Sequence, residues 1–172
     1  AKSILSLSGS EAVESALKTA RLATGRKRVL AFEGAYHGLG YGALAVTWRS
    51  DFRSAFQDQI GDFVSHVPFG SDCEDPLSSG EFGAVIVEPI QSRGGIIVPP
   101  PGWLSDLIDC AHRNGTLVIF DEIMTGFGRT GTILARERPD IRCVGKTLGG
   151  GIQISAAVGS VTLQTTSAGG TV

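Results

Sequence analysis

Four groups in this sequence could do chemistry in concert. Lys146 is a primary amine between the apolar pair Cys143-Val144 and the triple glycine Gly149-Gly150-Gly151. Partial desolvation there would lower the amine's pKa toward nucleophilic use, although a lone lysine is ordinarily a solvated surface group. Asp121 directly follows an apolar run ending at Phe120. A carboxylate so placed needs a cationic partner, because an unpaired buried charge is costly. Ser8-Gly9-Ser10 closes one apolar run and opens a helical pattern. Free N–H groups and the positive helix end converge there, so a phosphate could approach over glycine with Ser10 as a hydroxyl donor. The same segment taken alone reads as a simple N-cap. Tyr36-His37, set between glycines, adds an aromatic ring. A reactive amine, an acid for a ring nitrogen, a phosphate cup and a ring to stack on are the requirements of pyridoxal 5′-phosphate (PLP). That cofactor is the expectation.

Composition removes several other chemistries. The 172 residues suit one domain, and a net charge of −2 without a basic stripe argues against nucleic-acid binding. Mean hydropathy is +0.15, ordinary for a folded globular chain. Glycine is over-represented at 24 of 172 residues, about twice the usual share, and clusters in short turns. Cys73, Cys110 and Cys143 form no CxxC pair, and with three histidines they assemble no zinc site. They read as free thiols in a reducing compartment. No run approaches a membrane span and no signal peptide opens the chain, so a cytoplasmic protein is expected. Two phosphate-loop patterns are decoys. Gly126-Phe127-Gly128-Arg129-Thr130-Gly131 matches GxGxxG but stands away from the preceding strand, and position 151 is Gly rather than acidic. Gly145-Lys146-Thr147 lacks the opening glycine of a Walker loop, because position 140 is Asp.

The elements that must position these groups follow from periodicity. Strands are expected from Ser3 to Leu7, Arg28 to Phe32, Phe63 to Val67, Ala84 to Val87 and Thr116 to Phe120. Ser8-x-x-Glu11 has capping-box spacing, which starts a helix within a residue or two of Gly9. Ala12, Val13, Ala16, Leu17 and Ala20 share its apolar face, Glu14–Lys18 forms an i,i+4 pair, and Gly25 stops it. A second helix runs from Trp103 to about His112. Residues 47–59 are polar with short helical turns, and 72–81 is turn-rich. Continuous apolar runs alternating with amphipathic helices imply an α/β fold with a mostly parallel central sheet and helices on both faces. In such sheets ligands sit beyond the C-terminal strand ends, where the candidate residues fall.

The order of motifs resembles the class III aminotransferases, PLP enzymes of fold type I that include ornithine, acetylornithine and 4-aminobutyrate aminotransferases. It is carried by Ser8-Gly9-Ser10-Glu11-Ala12, Gly34-Ala35-Tyr36-His37-Gly38, Val87-Glu88-Pro89-Ile90-Gln91, Phe120-Asp121-Glu122-Ile123, Gly126 to Gly131, Pro139-Asp140-Ile141 and Gly145 to Gly151. The resemblance covers roughly residues 4–160. It implies that Lys146 is the Schiff-base lysine and later the proton shuttle, and that Asp121 pairs with the pyridine nitrogen. Tyr36 would stack on the ring, Ile123 would pack on its other face, and Gly9 and Ser10 would hold the phosphate. Glu88 would be a carboxylate near the cofactor that orients Asp121 or its hydrogen-bond network. The implied reaction moves an amino group from an amine or amino-acid donor to an oxo acid, in a homodimer when full-length.

Departures from the family pattern concern the substrate side. Family members usually exceed twice this length, with an N-terminal segment and a C-terminal small domain. Residues 1–172 therefore read as a partial large, PLP-binding domain. No Met opens the chain and it closes on a polar run from Gln164 to Gly170, so both ends read as cut. Residues 72–81 and the stretch between Gly131 and Pro139 look shortened. Gln153 stands where Gly-Gly-Gly-x-Pro is typical, and Arg93 stands where Gly-Glu or Gly-Ala is common after Gln91. The same motifs also serve aminomutases, racemases and decarboxylases, and a non-catalytic PLP-binding remnant would keep them too.

Overall fold

A computed structural model describes residues 1–160; the polar run 164–170 lies outside the described residues. Seven strands form one sheet: β1 (Lys2–Ser6), β2 (Arg28–Phe32), β3 (Val64–Val67), β4 (Phe82–Val87), β5 (Leu117–Asp121), β6 (Ile141–Val144) and β7 (Ser155–Gly159). Their spatial order is β1-β7-β6-β5-β4-β2-β3. β7 runs antiparallel to both of its neighbours, and the pairs among β2 to β6 are all parallel. The mostly parallel α/β sheet is as expected. β6 and β7 are additions to it, since neither was legible as a strand.

Helix α1 (Gly9–Thr24) begins where the capping box places it. Ser8 Oγ accepts from Glu11 N–H at 3.3 Å, while Glu11 Oε2 accepts from the Ser8 and Leu7 amides. Gly25 closes it in the left-handed conformation, at φ +69°. Ala12, Val13, Ala16, Leu17 and Ala20 are buried as expected, and α1 lies across β7, β6, β1, β4 and β5. The anticipated Glu14–Lys18 pair is not among the ion pairs of the described residues. Glu14 Oε1 instead accepts from the Ala43 amide at 2.9 Å, in α2 (Tyr41–Val46). The reason is local: α2 begins on Gly40, which has no side chain to cap it, so a carboxylate from α1 satisfies one of its orphan donors.

The opposite face of the sheet is covered by α4 (Glu74–Ser78) and α5 (Trp103–Arg113), with the short α3 (Ser50–Arg53) near α2. Every residue of β4 is buried. Ala84 and Ile86 pack in the layer under α1, whereas Val85 and Val87 pack with Phe32, Trp103, Leu107 and Phe120 on the other side. Alternation thus delivers both layers from one continuous apolar run, each large side chain worth ~1.5–3 kcal/mol of burial. Phe32, Phe69 and Trp103 form an edge-on aromatic trio at 5.1–5.9 Å. The C-terminal ends of β1, β2, β4, β5 and β6 therefore share one rim of the sheet, and antiparallel β7 starts there.

Candidate functional site

All seven residues singled out by the sequence, Gly9, Ser10, Tyr36, Glu88, Asp121, Ile123 and Lys146, line a single cavity of about 610 Å³ on that rim. A second hollow of about 310 Å³, between α1 and the Val29 and Phe63 side chains, contains none of them.

At one end of the cavity is the start of α1. The first four amides of a helix lack internal partners. Here Ser8 N–H is taken by Glu11 Oε2 and Glu11 N–H by Ser8 Oγ, which leaves the Gly9 and Ser10 amides without a partner among the described residues. Ser10 Oγ accepts from Gly40 N–H at 2.9 Å, so its own proton is available to donate. Gly9 is required for a second reason. A Cβ there would stand 2.8 Å from Ile123 Cδ1, so the missing side chain is what lets Ile123 close against the helix start.

Asp121 is the last residue of β5 and is 4% exposed. Oδ1 accepts from the Ile123 amide at 3.1 Å, and Oδ2 lies 2.7 Å from His37 Nδ1. The cationic or donor partner that the sequence demanded is thus the histidine beside Tyr36, a role that the motif alone did not assign. His37 is itself fixed, because its amide donates to Thr47 Oγ1 at 2.9 Å. Its Nε2 is buried with no hydrogen-bond partner among the described residues. Cys143 sits opposite Asp121 in the β5–β6 register. Burial, with Asp121 adding to it, pushes that thiol well above its usual range, so it is no nucleophile. Cys73 and Cys110 are likewise free, with burial raising them to about 12 and about 11.

Glu88 does not orient Asp121. Its Oε1 accepts from Tyr36 N–H at 3.0 Å, and its Oε2 accepts from both the amide and the hydroxyl of Ser92 at 3.0 Å. The physical reason is its position at the end of β4, between the loop leaving β2 and its own following turn. It clamps two loops, and Asp121 is served by His37. The Tyr36 ring is half-buried, 5.3 Å from Phe52, with the Arg93 guanidinium 4.4 Å from its centroid.

Lys146 follows β6 and starts a 3-10 turn, Lys146–Gly149. Contrary to the expected desolvation, it is exposed, and no hydrogen bond or ion pair holds it among the described residues. The flanking glycines leave it at the open mouth instead of under cover. Gly150 and Gly151 adopt φ +57° and +118°, the left-handed region that lets the chain turn back toward Ile152. Lys146 itself has φ +45°. For a residue with a Cβ that region costs ~1–2 kcal/mol, and such strain concentrates at functional sites. The GxGxxG decoy forms a reverse turn, with Phe127 and Gly128 amides donating to Ile133 and Thr132. No helix among the described residues is long and apolar enough to cross a membrane.

The chain matches the family described as Aminotransferase class-III over residues 1–171. It is 42% identical over 156 residues to the acetylornithine aminotransferase of Methanopyrus kandleri, covering 88% of this chain and 40% of that protein. It is 44% identical over 152 residues to a LysW-aminoadipate semialdehyde/glutamate semialdehyde transaminase of Sulfolobus acidocaldarius, covering 86% and 39%. The fold superposes on the ornithine aminotransferase of Toxoplasma gondii with a TM-score of 0.92 at 30% identity, covering 97% of this chain and 42% of that one. That structure has PLP at partial occupancy in its active site. The chain thus spans about two fifths of the length of these relatives.

Proposed function

The chain belongs to the class-III aminotransferases, and from that premise we propose that it is the PLP-binding large domain of an aminotransferase acting between an amine or amino-acid donor and an oxo acid. The carrying observation is that Asp121, Lys146 and the start of α1 open onto one cavity. The residues present fit the cofactor. Two orphan amides and the free Ser10 proton form an anion seat, and a buried, hydrogen-bonded carboxylate faces the same space.

When bound, PLP supplies an aldehyde that condenses with amines and a pyridinium ring that withdraws electrons. The Gly9 and Ser10 amides and the Ser10 hydroxyl would bind its phosphate at the positive end of α1. Asp121 would accept a hydrogen bond from the ring N–H and stabilise its positive charge. His37 holds Asp121 in that orientation through Nδ1. Tyr36 and Ile123 would flank the ring, with Glu88 fixing the backbone of Tyr36. Lys146 Nζ is the amine that would hold the cofactor through its aldehyde and, when free, would hold and move a proton at Nζ beside the reacting carbon. Proton transfer of this kind typically contributes ~10²–10⁴ in rate.

The remaining length of the relatives supports placing part of the substrate site outside these 172 residues. Exposed Leu39 and Ile152, which line the cavity, support a homodimer. Three buried free thiols fit a reducing, cytoplasmic setting. The test is direct. PLP is added to the chain, the adduct is reduced with borohydride, and peptides are mapped. The pyridoxyl group is expected on Lys146; its appearance on another lysine, or on none, would refute the proposal.

A further inference from the structure

The cavity carries a second cation. Arg93 lies in the turn after Glu88, and its guanidinium is 4.4 Å from the Tyr36 ring centroid and 5.8 Å from that of Phe52. Arg93 is the arginine among the residues lining the cavity, and it has no acidic partner among the described residues. Neither carboxylate of the cavity, Glu88 or Asp121, forms an ion pair with it among the described residues. Both oxygens of Glu88 are occupied by Tyr36 and Ser92, and both of Asp121 by His37 and Ile123.

The backbone on either side of Arg93 is pinned. Ser92 is held by Glu88 through two hydrogen bonds, and Gln91 and Ile97 exchange backbone bonds of 3.0 and 2.9 Å. Gly94 packs so closely that a Cβ would stand 2.8 Å from Gln91 Oε1 and 2.9 Å from Gly34 O. A planar guanidinium stacked on an aromatic face keeps its in-plane N–H donors free, and their fork matches a carboxylate in two-point contact.

Under the proposed function Lys146 is committed to the cofactor aldehyde and the α1 start to its phosphate, which leaves Arg93 for a third anionic group. We propose that Arg93 is a specificity-determining residue that receives a carboxylate of the substrate, so that the site selects carboxylate-bearing donors and acceptors over simple amines. This inference rests on the function proposed above.

The test uses the 172-residue chain, with and without PLP, and glutarate as the probe. Calorimetry reads glutarate binding and absorbance reads PLP uptake. Arg93→Gln should weaken glutarate at least tenfold and leave PLP uptake within twofold. Arg93→Lys should fall between, since it keeps the charge and loses the fork. Arg93→Glu should lose glutarate and gain 1,5-diaminopentane. Arg93 is exposed, and matching circular dichroism spectra establish that the variants fold. Unchanged or absent glutarate binding overturns the inference. So does a loss of PLP uptake equal to the loss of glutarate, which would assign Arg93 to the cofactor phosphate. If the parent takes up no PLP, the proposed function fails, while the glutarate comparison without cofactor still decides the role of Arg93.

Discussion

The floor and the rim of the cavity are built on opposite principles. On the floor, His37, Glu88 and Asp121 are 2%, 3% and 4% exposed, and each is committed to protein hydrogen bonds. On the rim, Lys146 and Arg93 are exposed and carry no acidic partner among the described residues, beside Ile152 at 78% exposure. A buried polar group left unpaired costs ~1–3 kcal/mol, so these floor residues are paired within the protein, save for His37 Nε2, which is buried without a partner among the described residues. Groups meant to meet a ligand can wait unpaired only where water reaches them. Under the proposed function the sheet would fix the orientation of the cofactor ring, and the turns above would recognise what reacts with it.

The sharpest way to break this contrast is at Asp121. Asp121→Asn removes the charge that the floor holds toward the cavity while α1 keeps its phosphate donors. Ring-nitrogen protonation, read by nitrogen NMR of labelled PLP, should fall at least tenfold. Single-turnover amino transfer should drop ~10²–10³, the scale for losing one preorganised electrostatic group. An unchanged protonation state would remove Asp121 from its assigned role.

Next in size is Glu88→Gln, which places an amide NH₂ against the donors of Tyr36 or Ser92. A loss of ~1–3 kcal/mol in urea unfolding is expected, the cost of a buried donor without an acceptor. A loss below about 0.5 kcal/mol, no more than an ordinary surface change, would mean that the loop clamp is dispensable.

A smaller effect is expected one layer behind the floor. His66 packs 5.2 Å from Trp48, with Nε2 3.3 Å from Val46 O, and burial depresses its imidazole from 6.5 to about 4. The native state therefore keeps it neutral where the unfolded chain already takes up a proton. Its contribution to stability is full above about pH 6.5, declines as pH falls toward 4, and is level below that. Urea midpoints of the parent should fall faster over this window than those of His66→Asn. Parallel curves would refute the coupling. The smallest effect belongs to the rim: Ile152→Ser should change stability by less than ~0.5 kcal/mol, and a larger loss would show that the rim also bears structure.

Much of this was legible from local rules. The capping box at Ser8 and Glu11, the stop at Gly25 and the 3.6-residue apolar period define α1 without reference to the rest of the chain. β2 appears over Arg28–Phe32 as read, and the apolar runs of β4 and β5 announced a sheet covered on both faces. The motif order brought all seven candidate residues to one cavity, because each stands at or just after a strand end and strand ends share one rim.

What the sequence could not contain were the partnerships across the chain. β7 reads Ser155-Ala156-Ala157-Val158-Gly159, in which only Val158 has a strand preference of its own. It is a strand only because β1 and β6 pair with it on either side, and its small side chains let α1 approach. His37 and Asp121 are 84 positions apart, and nothing local signals that they will meet. The resemblance assigns Glu88 to Asp121 or its hydrogen-bond network, and only the distances of the folded sheet give its oxygens to Tyr36 and Ser92 instead. Local propensity and spacing act over a few residues and fix elements and candidate groups. Which carboxylate receives which donor is set by burial, where most polar atoms find a partner among whatever the tertiary fold brings within 3 Å or so.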